Sequence, residues 1–347
     1  MSRIYLDWNA TTPLRPEAKA AMIAAMDVVG NPSSVHGEGR AATAIVEKAR
    51  AQLASALGAS TADIVFTGSA TEAATLALKD RGLHSSLVEH SCITAWTKAD
   101  LPCDHNGLVE VLDPKNSTMQ MVNSETGVVQ PQLKGLAVSD CVQAFGKMPM
   151  AFDWAEIDMG IFAAHKLGGP KGVGALVPRQ GIDIKAQILG GGQEMGRRAG
   201  TENVIGIAGF GAAAEAAARD LDDGVWEGVQ MLRDLLEQRL ISGAPELVIF
   251  GQDQTRLPNT SYFACPGWKG ETQVMQMDMA GFAVSAGSAC SSGKVKASQV
   301  LLAMGIETTT AASAIRVSIG PTTTKDQLMK FADIWLAART RFQARAA

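Results

Sequence analysis

Four short segments of the sequence contain residue types that are common in catalytic sites. In the first, Gly68-Ser-Ala-Thr-Glu72, a predicted strand turns through small and hydroxyl residues into a helix. The N–H groups and positive dipole at the start of such a helix favour a phosphate. Taken alone, the segment is better explained by an ordinary helix cap, with Ser69 or Thr71 closing the first turn.

The second segment ends an apolar strand with Asp140 and continues to Gln143. Ligands of α/β proteins bind at the carboxyl ends of the strands, where a carboxylate can hold a protonated ring nitrogen. By itself, this Asp is better explained as the cap of the next helix.

His165 and Lys166 form the third segment, between an apolar strand and a run of glycines. Burial disfavours a charged amine, so a sheltered lysine has a lowered pKa and becomes available for Schiff-base chemistry. Individually, a surface lysine beside a glycine turn and a structural histidine are the more common interpretations.

Cys290 lies in the fourth segment, within Gly287-Ser-Ala-Cys-Ser-Ser-Gly293, among small residues that cannot bury it. A thiol in that setting is expected to be reactive rather than part of the core. The two glycines at the ends of this run are one residue too far apart for the phosphate-loop motif GxxxxGK[ST]. The triple glycine at 190–192 also lacks the GxGxxG spacing of a dinucleotide site.

The composition is that of a globular protein. At 347 residues, the chain is longer than the roughly 250–300 residues that one core usually serves, so two domains are expected. Hydrophobic residues make up 46% and charged residues 19%, which excludes a disordered or fibrous chain. A net charge of −4 gives no basic field for nucleic acid.

No leader or membrane segment is evident, since the longest apolar run, 204–214, is far shorter than the ~20 residues of a membrane span. We therefore expect a soluble, cytoplasmic protein that does not bind membranes. Five scattered cysteines without a CxxC pair predict neither a disulfide framework nor a metal site.

Helical and strand patterns alternate along the first two thirds of the chain. Apolar positions at helical spacing predict helices over 16–29 and 38–57, with Gly58 as the C-cap of the second. Short apolar runs predict strands at 64–67, 119–122, 136–139, 159–163 and 173–177. This alternation predicts a large, mostly parallel α/β domain, followed from about residue 222 by a smaller α+β domain.

The motifs of the chain, in this order, strongly resemble those of the NifS/IscS-like cysteine desulfurases, which are pyridoxal phosphate (PLP) enzymes of the class V aminotransferase group. The resemblance extends from Tyr5 to about Gly320. It rests on Ala10-Thr-Thr-Pro13, Gly30-Asn-Pro-Ser-Ser34, Ala70-Thr-Glu72, Val88-Glu-His90, Val122-Asn-Ser-Glu-Thr-Gly127, Asp140-x-x-Gln143, His165-Lys166 and Gly287-Ser-Ala-Cys290.

The resemblance implies the fold-type-I architecture of PLP-dependent transferases. A large PLP-binding domain would span residues 15–222. Residues 1–14 and 223–347 would form the small domain, which carries the loop of the catalytic cysteine.

Roles for the ring-binding residues follow from the same resemblance. Lys166 would hold PLP covalently and later move the α-proton of the substrate. Asp140 would pair with the ring nitrogen, His90 would stack on the ring, and Gln143 would donate to its phenolic oxygen. Ser124 stands where the family has an Asn that contacts the cofactor.

The resemblance also assigns the phosphate and the substrate. Thr71, the backbone of Ala70 and His165 would bind the phosphate. Two further residues would bind the substrate carboxylate, Arg316 as a bidentate fork and Asn31 in support. Thr201 would reach the phosphate of a neighbouring subunit, which implies a homodimer.

The implied reaction converts L-cysteine to L-alanine and leaves a persulfide on Cys290. The sulfur would pass to an acceptor protein such as an iron–sulfur scaffold, or to another thio-cofactor pathway. Besides Ser124, the departures from the family pattern are Ala163 in place of a phosphate-binding Ser, Met195 in place of an Arg, and trims near 79–88 and 113–117.

Three alternatives remain open. Two are enzymes on the same scaffold: a selenocysteine lyase, and another class V aminotransferase or lyase that needs no thiol. The third belongs to a different class, a catalytically weakened binding or scaffold protein, and is motivated by the departures at Ser124 and Ala163.

Overall fold

The computed structural model describes residues 3–287 and 297–346. The helices are α1 (Pro16–Met26), α2 (Gly37–Leu57), α3 (Ala70–Leu78), α4 (Ser91–Thr94), α5 (Phe152–Ala155), α6 (Val204–Asp222), α7 (Val225–Gly243), α8 (Gly270–Met279), α9 (Gln299–Ala303), α10 (Thr308–Ala311) and α11 (Lys325–Ala346). The strands are β1 (Ile4–Tyr5), β2 (Val65–Thr67), β3 (His84–Ser86), β4 (Lys98–Leu101), β5 (Val138–Asp140), β6 (Met159–Ala163), β7 (Gly174–Pro178), β8 (Val248–Ile249), β9 (Thr260–Ala264), β10 (Phe282–Ala283) and β11 (Ala314–Ser318).

The central sheet is mostly parallel. Its strands run in the order β2-β7-β6-β5, and parallel bridges through residues 117 and 118 extend it from β5 to the parallel pair of β3 and β4. Strand β7 alone among these is antiparallel, to both β2 and β6. The predicted α/β class is therefore confirmed, with one reversed strand that no periodicity in the sequence indicates.

Alternate residues of the central sheet enter two apolar layers. Phe66 and Phe162 face a layer that includes helices α2 and α6, whereas Val65 and Ile161 face the opposite layer, which includes α3. This alternation follows from the two-residue period of a strand. The central sheet, with the carboxyl ends of β5 and β6, is thus the middle of three layers and has helices on both faces.

A second core lies around α7, α8 and α11, and includes Ile4 and Leu6 from the start of the chain. The antiparallel sheet β11-β9-β8 separates this core from the first, because Phe263 faces the second core and its neighbours Tyr262 and Ala264 face the first. The predicted division at residue 222 places α7 and α11 on one side of the boundary. The division itself stays a prediction.

Local signals account for the helix boundaries. Gly58 ends α2 in the left-handed conformation (φ 58°), as predicted. Helix α1 ends at Met26, three residues before the predicted end. The loop that follows packs closely against the start of α2, since a Cβ on Gly30 would lie 2.1 Å from the carbonyl oxygen of Glu38.

Segment 119–122 is extended and bonded to β5, but it contains only isolated bridges rather than the predicted strand. Met119 N and Met121 N donate to the carbonyl oxygens of Val138 and Asp140. The segment therefore occupies a strand position in the sheet and delivers residue 123 next to the end of β5.

The N-terminal segment joins the two cores. After β1 pairs with β10, residue Asp7 bridges to Ser318 of β11, and Thr12 N donates to the carbonyl oxygen of His165. Residues 7–12 therefore lie between β11 and the end of β6. Within residues 3–287 and 297–346, no helix combines the length and the apolar character needed to cross a membrane.

Candidate active site

Lys166 follows β6 in a short turn and is half-buried. Its Nζ donates to the carbonyl oxygens of Asn9 (2.5 Å) and Ala10 (3.0 Å), while Thr12 Oγ1 donates to the carbonyl oxygen of Lys166 (2.8 Å). The turn continues through Gly168, whose φ of 92° is in the glycine-favoured region. The N-terminal segment thus orients the predicted PLP lysine through both its backbone and its amine.

Asp140 and His90 lie beside this lysine. Burial raises the pKa of Asp140, whose Oδ1 accepts from Val142 N (2.9 Å), while the charges of His90 and Lys166 oppose the rise. Burial lowers the pKa of His90, and the charges of Asp140 and Lys166 act on it as well. The three predicted ring-binding groups are therefore close enough to interact electrostatically.

His90 is the N-cap of α4, and its Nδ1 accepts from Cys92 N (3.2 Å). A neutral imidazole that accepts at Nδ1 carries its proton on Nε2. Because burial lowers the pKa of His90, the ring presents an Nε2–H donor at neutral pH.

The start of α3 provides the predicted phosphate site. Ser69 Oγ accepts from Glu72 N (3.1 Å), and a carboxylate oxygen of Glu72 accepts from Gly68 N (2.8 Å). These caps leave the first-turn N–H groups of Ala70 and Thr71 without a partner among the described residues. The helix-cap interpretation therefore holds, and the two remaining donors are compatible with the phosphate site, which stays a prediction.

His165 is adjacent to the same region, with its Nδ1 3.2 Å from Thr11 Oγ1. Burial, followed by the positive charges of Lys166, Lys171 and Lys147, lowers the pKa of His165 to about 4. The ring is neutral at pH 7, so it offers an anion a hydrogen bond rather than a positive charge. Ala163 offers no hydroxyl, and its methyl group is buried at the end of β6.

Arg316 projects from β11 and is buried. Its Nη2 lies 2.9 Å from Asp7 Oδ1, and its Nη1 donates to the carbonyl oxygen of Ser124 (2.8 Å). Ser124 thus contributes a backbone acceptor next to Asn123, where the resemblance expected a side-chain contact with the cofactor. The guanidinium is oriented as a fork by the N-terminal segment and the 123–127 turn.

Two predicted site residues are not brought together with the others. Asn31 is exposed, and its Oδ1 accepts from Ser33 N (2.9 Å) within its own turn. Thr201 is exposed and lines a small cavity of about 60 Å³ with Thr67 and Arg198.

The arginine that the family pattern has at position 195 is replaced here by Met195, which is more than half exposed. Arg197, two positions further on, pairs with Asp63 (2.7 Å).

Cys290 lies outside the described residues. The described chain stops at Gly287 and resumes at residue 297, and Ser298 Oγ donates to the buried carboxylate of Glu125. A Cβ on Gly287 would lie 3.5 Å from the same carboxylate. Both ends of the intervening sequence therefore meet at the turn that also bonds Arg316.

The described cysteines are poor nucleophiles. Cys92, Cys103, Cys141 and Cys265 carry free thiols, and burial raises the pKa of each; the pKa of Cys141 rises to about 12. A protonated thiol does not attack sulfur or carbon readily. The structure thus removes Cys92 and Cys141 as competitors for the thiol chemistry expected of Cys290.

Sequence reasoning missed four residues of this site. Asn9 and Asp7 hold Lys166 and Arg316, Lys147 contacts Gln143, and Glu89 is buried beside Asp140. Glu89 stands inside the quoted motif Val88-Glu-His90, and Lys147 lies four residues after Gln143; a charged residue within apolar surroundings was the signal that could have identified each of them.

Glu89 gives the site a pH-dependent stability. Burial, followed by the charge of Asp140, raises the pKa of Glu89 to about 8 from 4.5, and its Oε2 has no partner among the described residues. A carboxyl group whose pKa is raised by folding stabilises the fold at pH values below its pKa in the unfolded chain. That stabilisation is lost as the pH rises through its pKa in the folded protein. We expect Glu89→Gln to remove this loss.

The measurement is chemical denaturation of wild type and Glu89→Gln between about pH 5 and pH 9. The free energy of unfolding of the variant, minus that of wild type, should increase by about 3–5 kcal/mol from pH 5 to pH 9. Glu110→Gln, at an exposed position, is the matched control. A difference that does not change with pH would contradict the raised pKa.

These side chains fit pyridoxal phosphate. Asp140 is a buried carboxylate suited to a protonated ring nitrogen, and Lys166 provides an amine for covalent attachment. The start of α3 presents two backbone donors toward a phosphate. The carboxylate, the amine and the backbone N–H donors thus suit the ring nitrogen, the aldehyde and the phosphate of the cofactor, respectively.

The sequence of the chain matches known proteins over nearly its whole length. A family model described as Aminotransferase class-V matches residues 4–99 and 97–331. The cysteine desulfurase of Cereibacter sphaeroides is 39% identical over 372 residues, which cover 96% of this chain and 95% of the relative. The cysteine desulfurase IscS of Dictyoglomus turgidum is 35% identical over 367 residues, which cover 95% of this chain and 93% of that relative.

Solved structures share the fold. A NifS-like protein from Rickettsia africae superposes with a TM-score of 0.87 at 32% identity, covering 96% of this chain and 98% of that one. A second NifS-like protein gives a TM-score of 0.88 at 30% identity, covering 97% and 99%.

Proposed function

Because the chain belongs to the class-V aminotransferase family and is a PLP-dependent cysteine desulfurase, we propose that Lys166, Asp140 and His90 form its catalytic centre and that Cys290 receives the sulfur. The observation that carries the proposal is the mutual proximity of these three described groups, Asp140 at the end of β5, Lys166 just after β6 and His90 at the start of α4. Bound PLP supplies an electron sink that stabilises negative charge at the α-carbon of the substrate.

The residues then have distinct tasks. Lys166 Nζ holds the cofactor and afterwards takes the proton from the α-carbon of L-cysteine. Asp140 would keep the proton on the ring nitrogen, because burial disfavours an unpaired carboxylate and a protonated ring would supply its positive partner. His90, whose ring offers Nε2–H, would cover the cofactor ring, and His165, Ala70 and Thr71 would hold its phosphate.

Sulfur transfer is proposed for Cys290. Its thiolate forms an S–S bond with the substrate sulfur while the Cβ–S bond breaks. The electron pair of the broken bond stays on carbon, which takes up a proton and leaves as part of L-alanine. The product on the protein is a persulfide, whose terminal sulfur goes to an acceptor protein such as an iron–sulfur scaffold.

The experiment that tests cofactor attachment is borohydride reduction of the purified protein followed by peptide mapping. We expect one PLP per chain, fixed irreversibly on the peptide that contains Lys166. A folded protein with no PLP, or with PLP on another peptide, would favour the weakened scaffold protein instead.

Arg316 is proposed to bind the substrate carboxylate. Its fork already contacts Asp7 and Ser124, so a carboxylate would meet an oriented guanidinium. Arg316→Lys keeps the charge but loses the fork, and we expect KM for L-cysteine to rise about 10- to 100-fold with a smaller change in kcat. Arg239→Lys, at a surface ion pair, is the control. An unchanged KM would place the carboxylate elsewhere.

A homodimer is part of the proposal. Apolar side chains are exposed on α1 and the loop that follows it, at Ile23, Met26, Val29 and Val35. A second copy would bury this surface. Asn31 lies in the same loop, so a dimer would also bring that residue to an interface.

We also propose a cytoplasmic location, which the free thiols of the described residues favour because reducing compartments keep cysteines unpaired. Selenocysteine lyase remains the alternative activity. Comparing rates with L-cysteine and L-selenocysteine separates the two, and a strong preference for selenocysteine would replace the proposed substrate.

A further inference from the structure

Lys147 is a buried lysine that the proposed mechanism does not use. Its side chain is 3% exposed, and its Nζ contacts Gln143 Oε1 (2.7 Å) and Asn9 Oδ1 (3.4 Å). In the part of the chain that the structure describes, no carboxylate lies within ion-pair distance of this amine. Unpaired lysines are rarely buried, so the position calls for a role.

The contacts of Lys147 fix the orientation of two side-chain amides. Lys147 Nζ donates to both side-chain oxygens, so Gln143 and Asn9 turn their oxygens toward it. The Nε2 of Gln143 then faces the opposite way and donates to the carbonyl oxygen of Asn9 (3.0 Å). That same oxygen accepts from Lys166 Nζ (2.5 Å), so the amide nitrogen is held beside the catalytic amine.

Asn9 cannot easily reorient in compensation. Its Oδ1 also accepts from Asn259 Nδ2 (3.0 Å), and its Nδ2 donates to Thr260 Oγ1 (2.8 Å). Gln143 is buried, so loss of the Lys147 contact would leave its Oε1 without a donor. Burial and the charges of Lys166 and Arg316 lower the pKa of Lys147, which shows that these three cations share one region.

We propose that Lys147 is a positioning residue that, through Gln143, fixes the N–H donor which the active site offers to PLP beside Lys166. This inference rests on the proposed function and on the role that the resemblance implies for Gln143, a hydrogen bond to the phenolic oxygen of PLP. It predicts that Lys147 acts on the cofactor only by way of the Gln143 amide.

The test is a double-mutant cycle on the PLP-loaded protein, with Lys147→Met, Gln143→Met and the double variant. The readouts are the dissociation constant of PLP and the pH midpoint of its visible absorbance. We expect each single variant to weaken PLP binding about 5- to 10-fold and to displace the midpoint. Lys147→Met should add less than about twofold in the Gln143→Met background. Lys134→Met, at an exposed lysine, is the control.

Other outcomes are equally decisive. If the two effects add, or if Lys147→Met lowers only the melting temperature and leaves the absorbance midpoint in place, the role is structural and the inference is wrong. If wild type and Lys134→Met bind no PLP, the proposed function fails first and the inference falls with it.

A crystal structure of the wild-type holoenzyme provides the test if Lys147→Met does not fold. We expect Lys147 Nζ within hydrogen-bond distance of Gln143 Oε1, and Gln143 Nε2 facing the cofactor. A Gln143 amide turned away from PLP, or Lys147 paired with a carboxylate, would overturn the inference.

Discussion

Lys166→Ala should abolish both covalent PLP attachment and cysteine turnover. In the proposed function the amine holds the cofactor and takes the α-proton, and its contacts with Asn9 and Ala10 direct it to one place. Loss of a positioned proton-transfer group alone costs about 10²–10⁴-fold, so alanine release should fall by at least that factor. The measurement is alanine release from L-cysteine, together with the borohydride-stable PLP content.

Lys134→Ala is the control for this prediction, because that lysine is exposed and paired with Glu156 at the surface. An excess of a small primary amine is expected to restore part of the proton transfer in Lys166→Ala. Retention of irreversibly reducible PLP in Lys166→Ala would assign the attachment to another lysine and contradict the account.

Cys290→Ala should separate cofactor binding from sulfur transfer. In the proposed site, PLP is held by groups at the ends of β5 and β6 and at the start of α3 rather than by Cys290, so its content and visible absorbance should match wild type. Alanine release should fall on the order of 10³-fold or more, because no thiolate accepts the substrate sulfur.

Cys103→Ala is the matched control, since burial raises the pKa of this half-buried thiol, and its Sγ contacts the carbonyl oxygen of Ala303. It should release alanine at the wild-type rate. Undiminished alanine release by Cys290→Ala would show a lyase that needs no protein thiol, and would replace the persulfide mechanism.

The elements that position the site could largely be predicted from the sequence, because their signals are local. The apolar run of β6 ends where the prediction placed it, next to His165 and Lys166. The capping glycine at 58 ends α2 as expected, since only nearby residues decide a C-cap. The reversed direction of β7 has no local signal, because strand direction depends on the whole path of the chain.

The contacts between distant segments could not be predicted in this way. Asn9 holds Lys166 across 157 positions of sequence, and Asp7 pairs with Arg316 across 309. No spacing rule connects such positions, so only the ordered motifs of the resemblance indicated that these regions meet. The motifs named Gln143 and Lys166 but not the polar network of Asn9 and Lys147 that lies between them.

Asn31 is a residue that the resemblance placed in the site but that the structure does not bring there. The resemblance placed it with Arg316, whereas the single chain has it in an exposed turn among uncovered apolar residues. In the proposed dimer a second copy would cover this turn, so the single chain does not test the role predicted for Asn31.

The measurement that tests the central claim most directly is alanine release from L-cysteine by the purified holoenzyme, with excess reductant to remove sulfur from Cys290. The account predicts many turnovers per chain, each releasing one alanine and one sulfide. Bound PLP with no alanine formed would contradict it, and would identify Ser124 and Ala163 as the first positions to restore to the family pattern.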